Sequence, residues 1–127
     1  MTRGMAPAPR PVTAPLPRLV RVLVVGPPLR VGPLLAARSP ATMLSFTDDP
    51  AEGTGTDVLV LTRPAMRDVP HVRRLAEEAL LLVVVPRGTR RPRTDRLLAA
   101  GADVCLLDPD ADELAPYFRG TVTPRTG

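Results

Sequence analysis

Five short runs of apolar residues, spaced regularly along the chain, constrain its fold more than any other feature. The runs are rich in Val and Leu and read LVRVLVV (19–25), ATMLSF (41–46), TDVLVLT (56–62), LLVVVP (81–86) and DVCLLD (103–108). Runs of this length and composition are typical of strands buried in a parallel sheet. Among and after them, the sequence predicts helices over 29–38, 69–80, 93–101 and 110–120. The alternation of strands and helices predicts βαβ units.

The predicted fold class is α/β, with a flavodoxin-like five-stranded parallel sheet. Right-handed crossovers place helices on both faces of such a sheet, and the spacing of the strands fits the order 2-1-3-4-5. The linker TDDPAEGTG (47–55) is shorter than the dozen or so residues that a parallel crossover usually needs. We therefore expect the second helix to be short or missing, with Asp48 or Asp49 as N-cap of a single turn that begins at Pro50.

The chain is expected to hold one domain flanked by two tails. Residues 1–18 contain five prolines and three arginines, and we predict that they form a disordered tail. The domain is predicted to span 19–120, and a disordered C-terminal tail to span 121–127. No apolar stretch reaches the length of a membrane span, and the N-terminus lacks the apolar segment of a signal peptide. We expect a cytoplasmic protein without a membrane partner.

Composition excludes several kinds of site. Phe46, Tyr117 and Phe118 are the only aromatic residues, so the chain lacks the rings of a base-stacking nucleic-acid surface. The single cysteine, Cys105, excludes an internal disulfide and a multi-cysteine zinc site, and its apolar neighbours predict a buried, unreactive thiol. We expect no metal site and no cofactor.

The loop after the first strand, GPPLRVG (26–32), does not fit a nucleotide-binding site. A Walker loop needs its second glycine five residues after the first, followed by Lys and Ser or Thr. Residue 31 is Val31, and Pro33 follows Gly32 where the lysine would stand. The dinucleotide pattern G-x-G-x-x-G fails at Pro28. Prolines also lack the N–H donors that hold phosphate groups.

The segment LLAAGADVCLLDPDADELAPYFR (97–119) resembles the end of a response-regulator receiver domain, which typically reads A-L-x-A-G-A-x-G-Y-L-L-K-P before an acidic helix start. RVLVV (21–25) and TDVLVL (56–61) match the first and third strands of that family at suitable distances. The resemblance covers about residues 19–120. It implies a CheY-like fold and a role in signal transduction, within two-component systems or transcription regulation.

Receivers accept a phosphoryl group on an aspartate after the third strand, beside a magnesium ion held by an acidic pair. Carried over residue by residue, the resemblance places the phosphorylation-pocket positions at Gly26 and Pro27 (acidic pair), Thr62 (acceptor), Pro86 (hydroxyl) and Asp108 (lysine). Every position departs from the family pattern, so we expect no catalytic residue and no metal ligand. Only the following proline, Pro109, is kept. The bond before it is often cis in the family, and the sequence leaves open whether the Asp108–Pro109 bond is cis or trans. The chain is thus similar to degenerate, or pseudo-receiver, domains of the actinobacterial type.

The resemblance implies a protein partner on the face formed by the predicted fourth helix, fifth strand and fifth helix. The arginine-rich segment RGTRRPRTDR (87–96) opens the fourth helix. The candidate interaction residues are Arg90, Arg91, Arg93 and Arg96. A homodimer is a further option for this chain. Because only TVTPRTG follows Gly120, we expect either a stand-alone degenerate receiver or a fragment of a longer regulator.

Two other functions fit the same residues. The first is a transcription-related protein that contacts DNA through the arginines at the helix start, with an affinity that falls steeply with salt. The second is a small flavodoxin-like enzyme that binds an anion near Arg63, Arg87 and Asp108, at the strand ends where ligands bind in this fold. His71, the sole histidine, follows Pro70 at the start of a predicted helix and is expected to be structural.

Overall fold

The computed structural model describes residues 19–27 and 31–119, so the predicted tails at 1–18 and 121–127 lie outside the described residues. The strands are β1 (Val20–Val25), β2 (Thr42–Thr47), β3 (Val58–Thr62), β4 (Leu80–Val85) and β5 (Val104–Leu107). The helices are α1 (Val31–Ala37), α2 (Asp68–Leu75), α3 (Arg91–Ala99) and α4 (Ala111–Phe118), with a 3-10 turn at Pro50–Gly53. Each predicted strand is present within about two residues of its predicted bounds.

All five strands lie in one parallel sheet of order β2-β1-β3-β4-β5, which confirms the predicted fold class. The central strands β3 and β4 are buried along their whole length, as expected of continuous apolar runs with helices on both faces. From β1 the strand order continues to β2 on one side, and from β3 it continues to β4 and β5 on the other, so the order reverses between β1 and β3. The carboxyl ends of these two strands therefore meet at the position where ligands bind in open α/β sheets.

The core consists of two apolar layers, one on each face of the sheet. One layer centres on Leu59, Leu81 and Leu97, beneath α2 and α3. The other centres on Val60, Leu82 and Phe118, beneath α1 and α4. With so few aromatic residues in the chain, both layers are filled almost entirely by Val, Leu and Ala side chains.

The predicted second helix is the 3-10 turn, as the short linker requires. Asp49 is its N-cap: the Ala51 N–H donates to Asp49 Oδ1 at 2.9 Å, and Pro50 occupies the first turn. Gly53 is buried. It lies so close to the Leu59 side chain that an added Cβ atom would collide with Leu59 Cδ1. The turn therefore packs directly on the sheet. The predicted third, fourth and fifth helices are accordingly α2, α3 and α4.

Helix α2 is shorter than predicted, since it ends at Leu75 and not at residue 80. The guanidinium of Arg73 donates to the carbonyl oxygens of Glu77 and Ala79 at 2.9 and 3.0 Å, which draws the chain into a turn before β4. Arg73 therefore bonds to the backbone of Glu77 and not to its carboxylate. Arg73 instead forms an ion pair with Asp103, with an Nη2–Oδ2 distance of 2.7 Å.

None of the helices in the described ranges has both the length and the apolar character that crossing a membrane requires.

Candidate functional site

The candidate site lies at the carboxyl ends of β1 and β3. Val25 pairs with Leu61 in the sheet, so Gly26, the next residue after β1, lies beside Thr62, the last residue of β3. The positions predicted for the acidic pair and for the phosphoryl acceptor are thus brought together, as in a receiver pocket.

Thr62 is buried and only 5% exposed. Its hydroxyl donates to the carbonyl oxygen of Val25 at 3.2 Å and to that of Pro27 at 2.9 Å. A hydroxyl has one proton, which these two acceptors share. The Thr62 hydroxyl therefore joins the end of β3 to the loop after β1.

Gly26 has a backbone conformation that residues with a side chain rarely adopt, with φ of +98°. A Cβ atom added there would lie 2.8 Å from Thr62 Oγ1 and 3.1 Å from the Thr62 carbonyl oxygen. The conformation and the neighbour together exclude a carboxylate at this position. Pro27, the second position of the missing acidic pair, is exposed and supplies only its carbonyl oxygen to Thr62.

Asp108 follows β5 in a left-handed conformation with φ of +39°, which aspartate tolerates better than most residues. Its N–H donates to the Val85 carbonyl oxygen at 2.8 Å, so the sheet pairing continues to this residue. None of the peptide bonds in the described ranges is cis, so the Asp108–Pro109 bond, which the sequence left open, is trans. The positive φ of Asp108 turns the chain towards α4 with a trans bond at Pro109, which is buried.

Thr62 and Asp108 line one small cleft together with Pro33, Leu34, Val84, Pro109 and Leu114. Its volume of about 20 Å³ is room for roughly one water molecule. The lining is mostly apolar, and neither Arg63 nor Arg87 belongs to it. Pro86, the remaining pocket position, is exposed at the end of β4, outside this lining.

Among residues 19–27 and 31–119, no group of three His, Cys, Asp or Glu side chains is arranged to hold a metal ion. Cys105 is half-buried against the α3 side of the core, and burial raises the pKa of its thiol above the ordinary value. His71 is exposed on α2.

The candidate interaction residues lie at the start of α3 and along it. We call Arg90, Arg91, Arg93 and Arg96 the basic edge; all four are exposed. Arg90 is the N-cap and makes no side-chain cap hydrogen bond. In the described part of the chain, neither Arg90 nor Arg91 forms an ion pair. Cations at a helix N-terminus oppose the helix dipole, so this placement does not stabilise α3.

Two features beside the basic edge were not predicted from the sequence. Leu98 on α3 and Leu107 on β5 are exposed, and Leu107 lies on the α3 side of the sheet because it alternates with Leu106. Arg93 Nη2 donates to the Pro64 carbonyl oxygen at 3.1 Å, which ties α3 to the loop after β3. That loop begins with Arg63, which has φ of +49°. The exposure of the two leucines depends on how the helices pack on the strands, and a local sequence pattern does not predict that packing.

No family model matches the chain, and no curated protein matches its sequence. Its fold is similar to the solved structure of an atypical orphan response regulator protein, which is described as having revealed a new phosphorylation-independent regulatory mechanism. The two chains are 15% identical; the match covers 84% of this chain and 100% of the other, with a TM-score of 0.63. At this identity the likeness concerns the fold, and it confirms that the chain has the receiver-like fold that its C-terminal segment predicts.

Proposed function

We propose that this chain is a regulatory, receiver-like domain that acts through contacts with a protein partner and without phosphorylation. The observation that most supports the proposal is the hydrogen bonding of the Thr62 hydroxyl to the Val25 and Pro27 carbonyl oxygens. A phosphoryl acceptor must present its oxygen to the donor, beside a cation that neutralises the transferred group. Here the oxygen is turned towards the backbone, and Gly26 leaves no place for a carboxylate that could hold the cation.

The proposal predicts no phosphorylation by a small phosphoryl donor. After incubation with acetyl phosphate and Mg²⁺, intact-mass spectrometry should show no gain of one phosphoryl group. A receiver domain with an intact acidic pocket, treated in parallel, serves as the positive control. A stable gain that disappears in Thr62→Val would show that the chain is a working phosphoacceptor, and the proposal would then be abandoned.

The proposed contact surface, which we call the partner face, consists of α3, β5 and α4. The basic edge presents four exposed arginine side chains, and arginine forks bind carboxylates in a two-pronged geometry. The exposed side chains of Leu98 and Leu107 lie beside them and add apolar area. This combination fits a partner with an acidic rim around a small apolar patch. We place this activity in the cytoplasm, within signal transduction.

The same guanidinium groups fit the phosphates of DNA. The observation that favours this second candidate is that, within the described residues, neither Arg90 nor Arg91 forms an ion pair. The two candidates separate in binding measurements with labelled poly-glutamate and with a DNA duplex at about 0.15 M salt. We expect poly-glutamate to bind more tightly, and Arg90→Glu/Arg91→Glu to weaken it by roughly tenfold or more. Tighter binding of the duplex, with a steep salt dependence, would instead favour DNA.

Arg74→Glu is the control for this experiment, because Arg74 is an exposed arginine on α2, outside the partner face. It makes the same change in charge as the single variant Arg91→Glu, with which it is compared, and it should leave binding nearly unchanged. An equal loss in the control would mean that net charge alone drives binding, and the partner face would have no special role.

A further inference from the structure

Among the described residues, the strand β2 forms an edge of the sheet, because it pairs there with β1 alone. The carbonyl oxygens of Ala41 and Thr47 accept from Val20 N–H and Gly26 N–H of the β1 side at 2.8 and 3.0 Å. In a parallel ladder, alternate residues direct both backbone groups to the same neighbour. Odd-numbered residues of β2 therefore bond to β1, and Leu44 and Phe46 direct their N–H and C=O groups outwards.

This edge lacks the features that usually prevent pairing with another chain. Natural edge strands are shielded by charged side chains, prolines or very short length. β2 has six residues, TMLSFT, with no charge and no proline. It also exposes large apolar side chains on both faces, since Met43 is 46% and Phe46 is 43% exposed. Met43 lies on the face where the second helix of the fold is reduced to the 3-10 turn.

Opposite charges stand at the two ends of β2. Arg38 precedes the strand and is held near it by a turn, in which the Thr42 N–H donates to the Ser39 carbonyl oxygen at 2.9 Å. Asp48 follows the strand directly. Both side chains are exposed, and neither forms an ion pair with another described residue. Glu52 lies at the acidic end too, where it accepts a hydrogen bond from Thr47 Oγ1.

We propose that two copies of this chain pair through antiparallel β2 strands and form one continuous sheet. A two-fold axis perpendicular to the sheet keeps each face of β2 on the same side in both copies, so outward-directed residues must meet. Leu44 then lies opposite either Leu44 or Phe46 of the second copy. The register with Thr42 opposite Leu44 is disfavoured, because the Thr42 N–H is already bonded to the Ser39 carbonyl oxygen. In the other two registers the antiparallel arrangement brings Arg38 of one copy towards the acidic end of the other, which holds Asp48 and Glu52.

The charges favour a second copy of this chain over an unrelated extended segment. A strand with a cation before it and an anion after it is complementary to itself when it is reversed, and the contact occurs twice in a two-fold dimer. An unrelated segment would need the same length, the same apolar alternation and the reverse charge order. The proposal concerns a surface separate from the partner face, so it does not depend on the proposed function.

The test is the molar mass in solution, measured by light scattering after gel filtration at about 100 µM protein. We expect twice the 13.6 kDa of the single chain. Arg38→Asp and Asp48→Arg each place like charges at both contacts, and each should raise the dissociation constant by about tenfold or more. In an equimolar mixture of the two variants, each mutated end meets an opposite charge, so a heterodimer should form again.

This recovery on mixing distinguishes a lost contact from a misfolded variant. Ser45→Lys, an exposed position next to the two-fold axis in either register, should also yield the single-chain mass. Arg90→Glu on the partner face serves as the control and should keep the dimer. A single-chain mass for the unmodified protein, or a dimer that survives Ser45→Lys and both charge variants, would overturn the proposal; the second result would mean that another face or another occupant is involved.

Discussion

At the scale of single residues, Gly26 lies where the backbone conformation and a neighbouring side chain both exclude a larger residue. The positive φ disfavours any side chain, and the Thr62 hydroxyl occupies the space into which a Cβ atom would project. Replacing Gly26 with an acidic residue is therefore insufficient to rebuild a receiver pocket. The bond between Thr62 and the β1 loop would have to open as well.

We predict that Gly26→Ala lowers the free energy of unfolding by about 2 to 3 kcal/mol, because it adds a close contact to backbone strain. Gly55→Ala is the matched control. Gly55 also has a positive φ, of +85°, but an added Cβ atom would have no neighbour within 4 Å. It should cost only about 1 kcal/mol. Urea denaturation of the two variants measures the difference, and equal losses would contradict the role assigned to Thr62.

The sequence identified the residues at the candidate pocket but not their contacts. Gly26 and Thr62 could be placed at strand ends because the strands are continuous apolar runs that stop at these residues. The hydrogen bonds from Thr62 to Val25 and Pro27 depend on the register between β1 and β3, which no local pattern specifies. The isomer of the Asp108–Pro109 bond was left open for a similar reason, since the turn is made by the φ angle of Asp108.

At the scale of secondary structure elements, Arg73 joins the end of α2 to the loop before β5. Its Nε donates to the Gly101 carbonyl oxygen at 3.1 Å, and Asp103 Oδ2 accepts from both Arg73 Nη2 and the Leu81 N–H. The sequence predicts that the helix continues beyond Leu75, but these contacts end α2 at that residue. The partner that ends it is about thirty residues away along the chain, so the length of α2 was not predictable locally.

We predict that Arg73→Ala lowers the free energy of unfolding by about 2 to 4 kcal/mol, since it leaves the partly buried Asp103 carboxylate and several carbonyl groups without their donor. Arg73→Lys keeps the charge but not the planar fork, and it should restore less than half of the loss. The control is Arg74→Ala, an exposed neighbour on the same helix, with an expected change of about 0.5 kcal/mol or less. A similar loss in both alanine variants would contradict the structural role of Arg73.

At the scale of the whole molecule, the two proposed surfaces lie at opposite edges of the sheet. β2 forms one edge, and β5, which belongs to the partner face, forms the other. A dimer through β2 would therefore leave both partner faces open at the far ends of a ten-stranded sheet. Two identical faces on one rigid body can bind a repeated or dimeric partner much more tightly than one face alone.

The Thr62 hydroxyl bond has a consequence for how such a protein can convey information. A receiver that accepts a phosphoryl group alternates between two chemical forms. Under the proposed function, the Thr62 hydroxyl stays bonded to the backbone, and this chain keeps one chemical form at that position. Its regulatory effect then depends on the number of copies present, and so on the rates at which the polypeptide is made and degraded. If two copies associate, the amount of dimer rises more steeply than the number of copies.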